Sequence, residues 1–312
     1  MFAMLKTIRQ RIIHHLWENY KRRSAQMMHL EKILIDKGIH PLPLDHFAII
    51  DLPSPHSGIP QLSRLFSLIG YVEQGRDYLP EKQNGFVWMT EMDSTEQIAT
   101  NVLPQAVVAD FCLDDLPQEI KIIIEKYARL TQALPEKELT MLVEKSSRGD
   151  LIAGNQLCQL IIHYLSGRDW PLPTMNEYRI VQEWNELLAW VLLFGRKPNH
   201  FTLSIHLLDV FSDIHLFHDF IENEAKLISN KQGGAIKGSI EQGISQGSTQ
   251  GTAEIFTLAD GCVSIPGDFV EFVWRYPVNK IKTPVMWQDY FNGFIAKQAT
   301  HVIESLFIPT IP

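Results

Sequence analysis

Cysteine is scarce in this 312-residue chain, and the three present, Cys112, Cys158 and Cys262, lie far apart with no CxxC pair. That spacing argues against a disulfide framework and a zinc ribbon, and suits small apolar side chains in a reducing compartment. Long apolar runs are missing too. The densest, LLAWVLLF at 187–194, falls far short of the ~20 residues that span a bilayer. The opening segment MFAMLKTIRQRIIHHLWENYKRR has neither the apolar core nor the small-residue cleavage site of a secretory signal. No block of one charge sign occurs: the formal net charge is -8, with acids and bases well mixed, which argues against nucleic acid as a partner. The glycine-rich run at 231–251 contains no GxxxxGK[ST] or GxGxxG pattern, so it does not read as a phosphate cradle. These absences leave the expectation of a soluble, cytoplasmic protein with neither a membrane nor a nucleic-acid partner. Its 45% hydrophobic content can build a sizeable core.

Helical periodicity fills residues 3–37, before Pro41 and Pro43 break it. LDHFAIIDL (44–52) alternates as a strand. SGIPQLSRLFSLIG (57–70) reads as a helix stopped at Gly70, and YVEQGRDYL, GFVWMTE and AVVADFCL read as three further strands. Residues 116–195 change to four helical segments. The last, MNEYRIVQEWNELLAWVLLF, opens on a capping box at Thr174 and Glu177. His163, on one of these apolar helices, is expected to be a core histidine rather than a ligand. Strands return at 199–206, followed by a helix at 212–228, the glycine- and serine-rich run, a hairpin at Asp260-Gly261 and a strand at 268–276. The fold class is α+β. N-terminal helices (1–39), a first strand–helix–strands module (40–115), a helical insertion (116–195) and a second module with the C-terminal tail (196–312) make one structural domain.

The two modules share a pattern. DHFAIIDL precedes a helix and a glycine-punctuated strand; NHFTLSIH precedes a helix and a glycine-rich stretch. Used twice, the unit places His46 and His200 in equivalent positions. Around His200 the alternation puts Phe201, Leu203 and Ile205 on one side and His200, Thr202, Ser204 and His206 on the other, with neither side reading as open surface. In the last strand Phe269, Glu271, Val273 and Arg275 share a face. If the two sheets curl around one cavity, His46, His200 and Glu271 point inward. Two imidazoles and one carboxylate with open positions suit non-haem Fe(II), and zinc accepts the same set, so ligand type leaves the metal open. His206 lies roughly 20 Å along an extended strand from His200, too far to share the ion, and is expected at a solvent-exposed strand end. His215 and His218 are expected on a solvated helix face.

DHFAIIDLP, PNHFTL and IPGDFVEFVWR, in that order, with KGSIEQGISQGST between the last two, resemble the 2-oxoadipate dioxygenase/decarboxylase (hydroxyglutarate synthase) family of the vicinal oxygen chelate superfamily. The resemblance covers most of residues 40–280. It implies a pair of βαβββ-type modules forming an incomplete barrel with helical insertions. It implies that His46, His200 and Glu271 hold Fe(II), with Zn, Ni, Co or Mn as stand-ins in a purified sample. It further implies a 2-oxo acid substrate bound through its carboxylate and keto oxygens, O2 as co-substrate, loss of CO2 and hydroxylation of the shortened chain. For 2-oxoadipate the product would be 2-hydroxyglutarate.

Other candidates follow from the same resemblance. Part of the glycine–serine run is expected to line the pocket, which nominates Ser239, Gln246, Ser248 and Thr249 for substrate binding, although composition alone reads the run as a flexible loop. Arg275, on the same face as Glu271, could grip a substrate carboxylate bidentately or pair with a nearby acid. Many family members carry an arginine for the substrate's distal carboxylate four residues after the first histidine. Here that residue is Ile50, which cannot replace the charge. Either Arg275 or Lys237 takes the role, or the substrate lacks a second carboxylate. The residues also leave open a glyoxalase-like metal-dependent lyase, isomerase or hydrolase on the same scaffold, and a non-catalytic binding protein.

Overall fold

The computed structural model describes residues 2–279 and 283–307. Helices α1 (Phe2–Arg23) and α2 (Ala25–Asp36) lead the chain, with the Ser24 side chain capping α2 by accepting from the Met27 N–H. The first module is β1 (Leu44–Ile50), α3 (Ile59–Leu68), β2 (Tyr71–Leu79), β3 (Asn84–Glu91) and β4 (Gln105–Phe111). Five helices follow: α4 (Gln118–Ala128), α5 (Glu136–Ser147), α6 (Leu151–Tyr164), α7 (Met175–Trp184) and α8 (Glu186–Phe194). The second module is β5 (Phe201–Ser204), α9 (Ile214–Asn223), β6 (Ile236–Ser239), β7 (Ile244–Ser248) and β10 (Glu271–Arg275). The hairpin β8 (Ala253–Thr257) and β9 (Cys262–Pro266) is inserted before β10, and α10 (Ala296–Ile303) comes last.

Eight strands form one curled sheet in the order β2-β3-β4-β1-β5-β10-β7-β6. The order is a repeat. In each module the first strand pairs in parallel with the last, β1 with β4 and β5 with β10, and the two modules join through antiparallel β1 and β5. Alternation then sorts side chains to two faces. Phe47, Ile49, Phe201, Leu203 and Phe272 enter the larger core with α1, α3 and α9. Ile50, Phe86, Val107 and Ala109 face the other way, toward a second core that α4, α7 and α8 complete. Helix α8 is buried on every side, from Leu187 to Phe194, which is why LLAWVLLF has no polar stripe. No helix among the described residues is long and apolar enough to cross a membrane.

Several expectations change. The strand at 199–206 stops at Ser204, and residues 205–207 form a 3-10 turn. The turn carries His206 off the sheet into a half-buried position. There its Nδ1 accepts from the Arg275 N–H at 3.3 Å and its ring packs on Tyr290. Burial pushes that imidazole down to about 4, so His206 is no exposed strand end. His163 is exposed rather than in the core. The single helix expected over 175–194 breaks at Asn185, whose side chain accepts from the Leu188 N–H and starts α8 anew.

The glycine–serine run is not a loop but two strands, β6 and β7, on the sheet edge. Its composition hides this because one glycine is there for proximity. Gly247 lies opposite Phe272, and a Cβ on Gly247 would stand 2.6 Å from that ring. Gly247→Ala should therefore destabilise the protein by about 1–3 kcal/mol through overpacking, read as a lower urea midpoint. An unchanged midpoint would contradict this strand register.

The capping box at α7 forms as expected, with Thr174 and Glu177 bonding each other's backbone N–H. Burial would raise the Glu177 carboxyl, yet hydrogen bonds from Lys126, Tyr127 and Thr174 hold it down to about 2. Its contribution to stability is complete above the ordinary glutamate range and is lost as pH falls toward 2. Thr174→Ala should cost about 1 kcal/mol, measured by thermal unfolding at neutral pH, with part of that difference fading in acid.

Candidate metal centre

His46 is the third residue of β1, His200 directly precedes β5, and Glu271 opens β10. These are central neighbours in the sheet, which brings together residues more than 200 positions apart. All three are buried, and one donor atom from each lies within 4.8 Å of the others. The Glu271 Oε2 is 3.0 Å from the His200 Nε2 and 3.7 Å from the His46 Nε2. Adjacent ligands on one ion with ~2.1 Å bonds stand about 3 Å apart, so small side-chain adjustments would close the set on a cation.

The outer ring atoms decide what these nitrogens offer. The His46 Nδ1 lies 2.7 Å from the Asp45 Oδ1, and the His200 Nδ1 lies 2.7 Å from the Asn199 Oδ1. Both partners are acceptors, so each Nδ1 carries the proton and each Nε2 presents a lone pair. Burial keeps the His200 imidazole neutral, against the pull of Glu271. The His200 Nε2 has no hydrogen-bond partner despite its nearness to the carboxylate. Two lone pairs and a carboxylate aimed at one point repel unless a cation lies between them. The donor set and its orphaned nitrogen therefore fit a divalent metal.

The repeat also explains why, among the described residues, three ligands converge rather than four. Two residues after His200, Thr202 stands opposite Glu271; two after His46, Ala48 stands opposite Val107. Val107 thus occupies the position equivalent to Glu271, and it lines the same cavity. One side of the centre is left apolar and without a ligand.

Asp45 reaches His46 through a β-bulge. Leu44 pairs with Leu203 and His46 with Thr202, so Asp45 is the extra residue, and the bulge lets consecutive side chains face inward. The Arg275 guanidinium forks onto both Asp45 oxygens, its Nε at 2.6 Å and its Nη2 at 2.8 Å, while its Nη1 donates to the carbonyls of Phe291 and Gly293. Burial would raise the Asp45 carboxyl, but Arg275 and the His46 hydrogen bond hold it far below the usual carboxylate range. Four of the five Arg275 N–H groups go to Asp45 and to main-chain carbonyls, the side chain is fully buried, and it does not line the cavity, so the acid it grips in this structure is Asp45.

The glycine–serine candidates divide. Gln246 lines the cavity beside His200 and Glu271. Ser248 instead bonds Ser305 and Asn230, Thr249 bonds Gln26 and the Val270 N–H, and Ser239 accepts from the Gln242 N–H in the β6–β7 turn. Those three support structure rather than face the cavity. Lys237 donates to the Asn230 carbonyl at 3.1 Å, and burial pushes its ammonium down to about 8. The residues missed from sequence are Asp45, Asn199 and Phe294. The first two had a signal: an Asx residue directly precedes histidine in both repeats, D-H-F and N-H-F. Phe294, whose ring packs edge-on against His46 at 4.8 Å, had none.

A half-barrel of two βαβββ modules with a histidine–histidine–carboxylate set on its inner face defines a glyoxalase-like fold with a candidate metal centre. A putative glyoxalase superfamily protein from Ralstonia eutropha shares the fold at a TM-score of 0.73, with 15% identity over 91% of this chain and 84% of that one. The 2-oxoadipate dioxygenase/decarboxylase profile matches residues 13–301, and the chain belongs to that family. The chloroplastic/amyloplastic 2-oxoadipate dioxygenase/decarboxylase of Oryza sativa subsp. japonica is 28% identical over 270 residues, covering 84% of this chain and 68% of its own length. The hydroxyglutarate synthase of Oryza sativa in complex with 2-oxoadipate superposes with a TM-score of 0.76, at 24% identity over 97% of this chain and 93% of that one.

Proposed function

We propose that the protein is an Fe(II)-dependent dioxygenase and decarboxylase of a 2-oxo acid. The observation that carries this reading is the meeting of the His46 and His200 lone pairs with the Glu271 carboxylate beside an apolar, ligand-free flank. That is the two-histidine, one-carboxylate set of non-haem iron oxygenases, in a chain whose relatives bear the name dioxygenase/decarboxylase. Bound iron would supply the redox chemistry that couples O2 to loss of CO2 from a chelating 2-oxo acid.

The chain's own part is to hold and to exclude. Asp45 and Asn199 accept from the Nδ1 of the two imidazoles, so neither histidine must turn to present its Nε2 to a metal. Phe294 and residues Val302 and Ile303 of α10 wall the cavity opposite the sheet and keep water away from it. The Thr202 hydroxyl, 3.1 Å from the His46 Nε2, and the amides of Gln246 and Asn199 that line the cavity are polar groups placed to orient a substrate head group. The test is metal analysis of the purified protein, followed by O2 uptake and CO2 release from the iron-loaded sample across a panel of 2-oxo acids. Uptake coupled to CO2 release is expected. An iron-loaded sample that consumes no O2 with any 2-oxo acid would end this reading.

A further inference from the structure

We infer that the 2-oxo acid taken by this cavity carries an uncharged, apolar chain rather than a second carboxylate. This rests on the proposed binding of a 2-oxo acid at His46, His200 and Glu271, and extends it to the other end of the substrate. With the head group at those ligands, the chain must run along the rest of the cavity. After His46, the inward residues of β1 are Ala48 and Ile50; at ~3.3 Å per residue Ile50 stands about 13 Å from the first ligand. Parallel β4 sets Val107 beside Ala48 and Ala109 beside Ile50, and β3 adds Phe86 opposite Ala109. All line the same cavity. The two alanines leave width along a floor that is otherwise hydrocarbon.

Beyond the ligands, the polar side chains lining the cavity are the amides of Asn84, Asn199 and Gln246, and no lysine or arginine lines it among the described residues. Three nearby cations are ion-paired elsewhere. Arg275 is forked onto Asp45. Arg196 pairs with Asp51 and Asp169, and Lys82 with Glu186 and Glu304. Lys237 has no ion pair among the described residues: it donates to the Asn230 carbonyl and lines a separate depression with Gln298 and His301. Yet it stands opposite Gln246 in the sheet and within range of the Glu271 charge, so a variant at this position belongs in the test. A distal carboxylate would leave water for these walls with no ion partner, an unfavourable transfer. A hydrocarbon chain of the same length would gain from it.

The experiment is anaerobic titration calorimetry of the Fe(II)-loaded protein with 2-oxohexanoate, 4-methyl-2-oxopentanoate and 2-oxoadipate, with CO2 release measured for the same acids in air. The apolar acids should bind at least about tenfold more tightly than 2-oxoadipate. Ile50→Arg should reverse the order, while the volume-conserving Ile50→Leu keeps it. Tighter binding of 2-oxoadipate by the unaltered protein overturns the inference alone, and loss of that binding in Lys237→Met would assign the carboxylate to Lys237. Binding of neither class overturns the 2-oxo acid reading and this inference together. If Ile50→Arg does not fold, the unaltered protein's ranking of the three acids decides.

Discussion

His200→Ala and Glu271→Ala, each purified and incubated with Fe(II), are expected to return no stoichiometric metal and no turnover while remaining folded. The argument is electrostatic. The Glu271 Oε2 stands 3.7 Å from the His46 Nε2 and 3.0 Å from the His200 Nε2, nitrogens that turn lone pairs rather than protons toward it, so a bound cation would be its counter-charge. Losing an outer partner of a metal ligand weakens a site about 10–100-fold; losing a ligand should exceed that. The metal-free fold should tolerate either change, because each truncation relieves crowding among acceptors. Thermal unfolding separates the effects. Metal at about 1,000 times its dissociation constant should stabilise the unaltered protein by about 4 kcal/mol and leave both variants unmoved. Full metal content in His200→Ala would remove His200 from the centre.

Much of that centre was legible in the sequence because the fold is a repeat of strands. Alternation at 44–50 and 268–276 fixes which residues share a face, and one inward histidine per module follows from the paired H-F motifs. What alternation cannot show is a residue that breaks it. Asp45 belongs by period to the outward face, and only the bulge opposite Leu203 and Thr202 turns it inward. The same limit hid β6 and β7, where Gly247 answers to the Phe272 ring on the neighbouring strand rather than to a turn. It also hid the wall from Phe294 and α10, a short segment that packs on distant strands and has no strand period of its own. Arg275 was placed on the correct face, but which of two carboxylates it would meet, a substrate's or Asp45's, depended on that unseen bulge.

Arg275→Met should be the most destabilising of the substitutions considered, by about 3–5 kcal/mol, because it leaves the Asp45 carboxylate buried and unpaired. Both partners are fully buried, so water cannot substitute for the guanidinium without opening the core. The same change should weaken metal binding about 10–100-fold, since Asp45 orients His46 and sets its tautomer. A purely structural role would lower stability and leave the affinity of surviving folded protein alone. The double variant Asp45→Asn/Arg275→Met separates these contributions. Removing the charge along with its partner should recover part of the stability, giving strong non-additivity in a double-mutant cycle, while metal affinity stays reduced because a neutral amide is a weaker acceptor for the His46 N–H. Arg275→Lys should fall between, as an ammonium cannot fork onto both oxygens. Urea denaturation and chelator competition on the same preparations supply the two readouts. Single-variant losses below about 1 kcal/mol, with unchanged metal affinity, would show that Asp45 does not depend on Arg275 and that the bulge alone positions the first histidine.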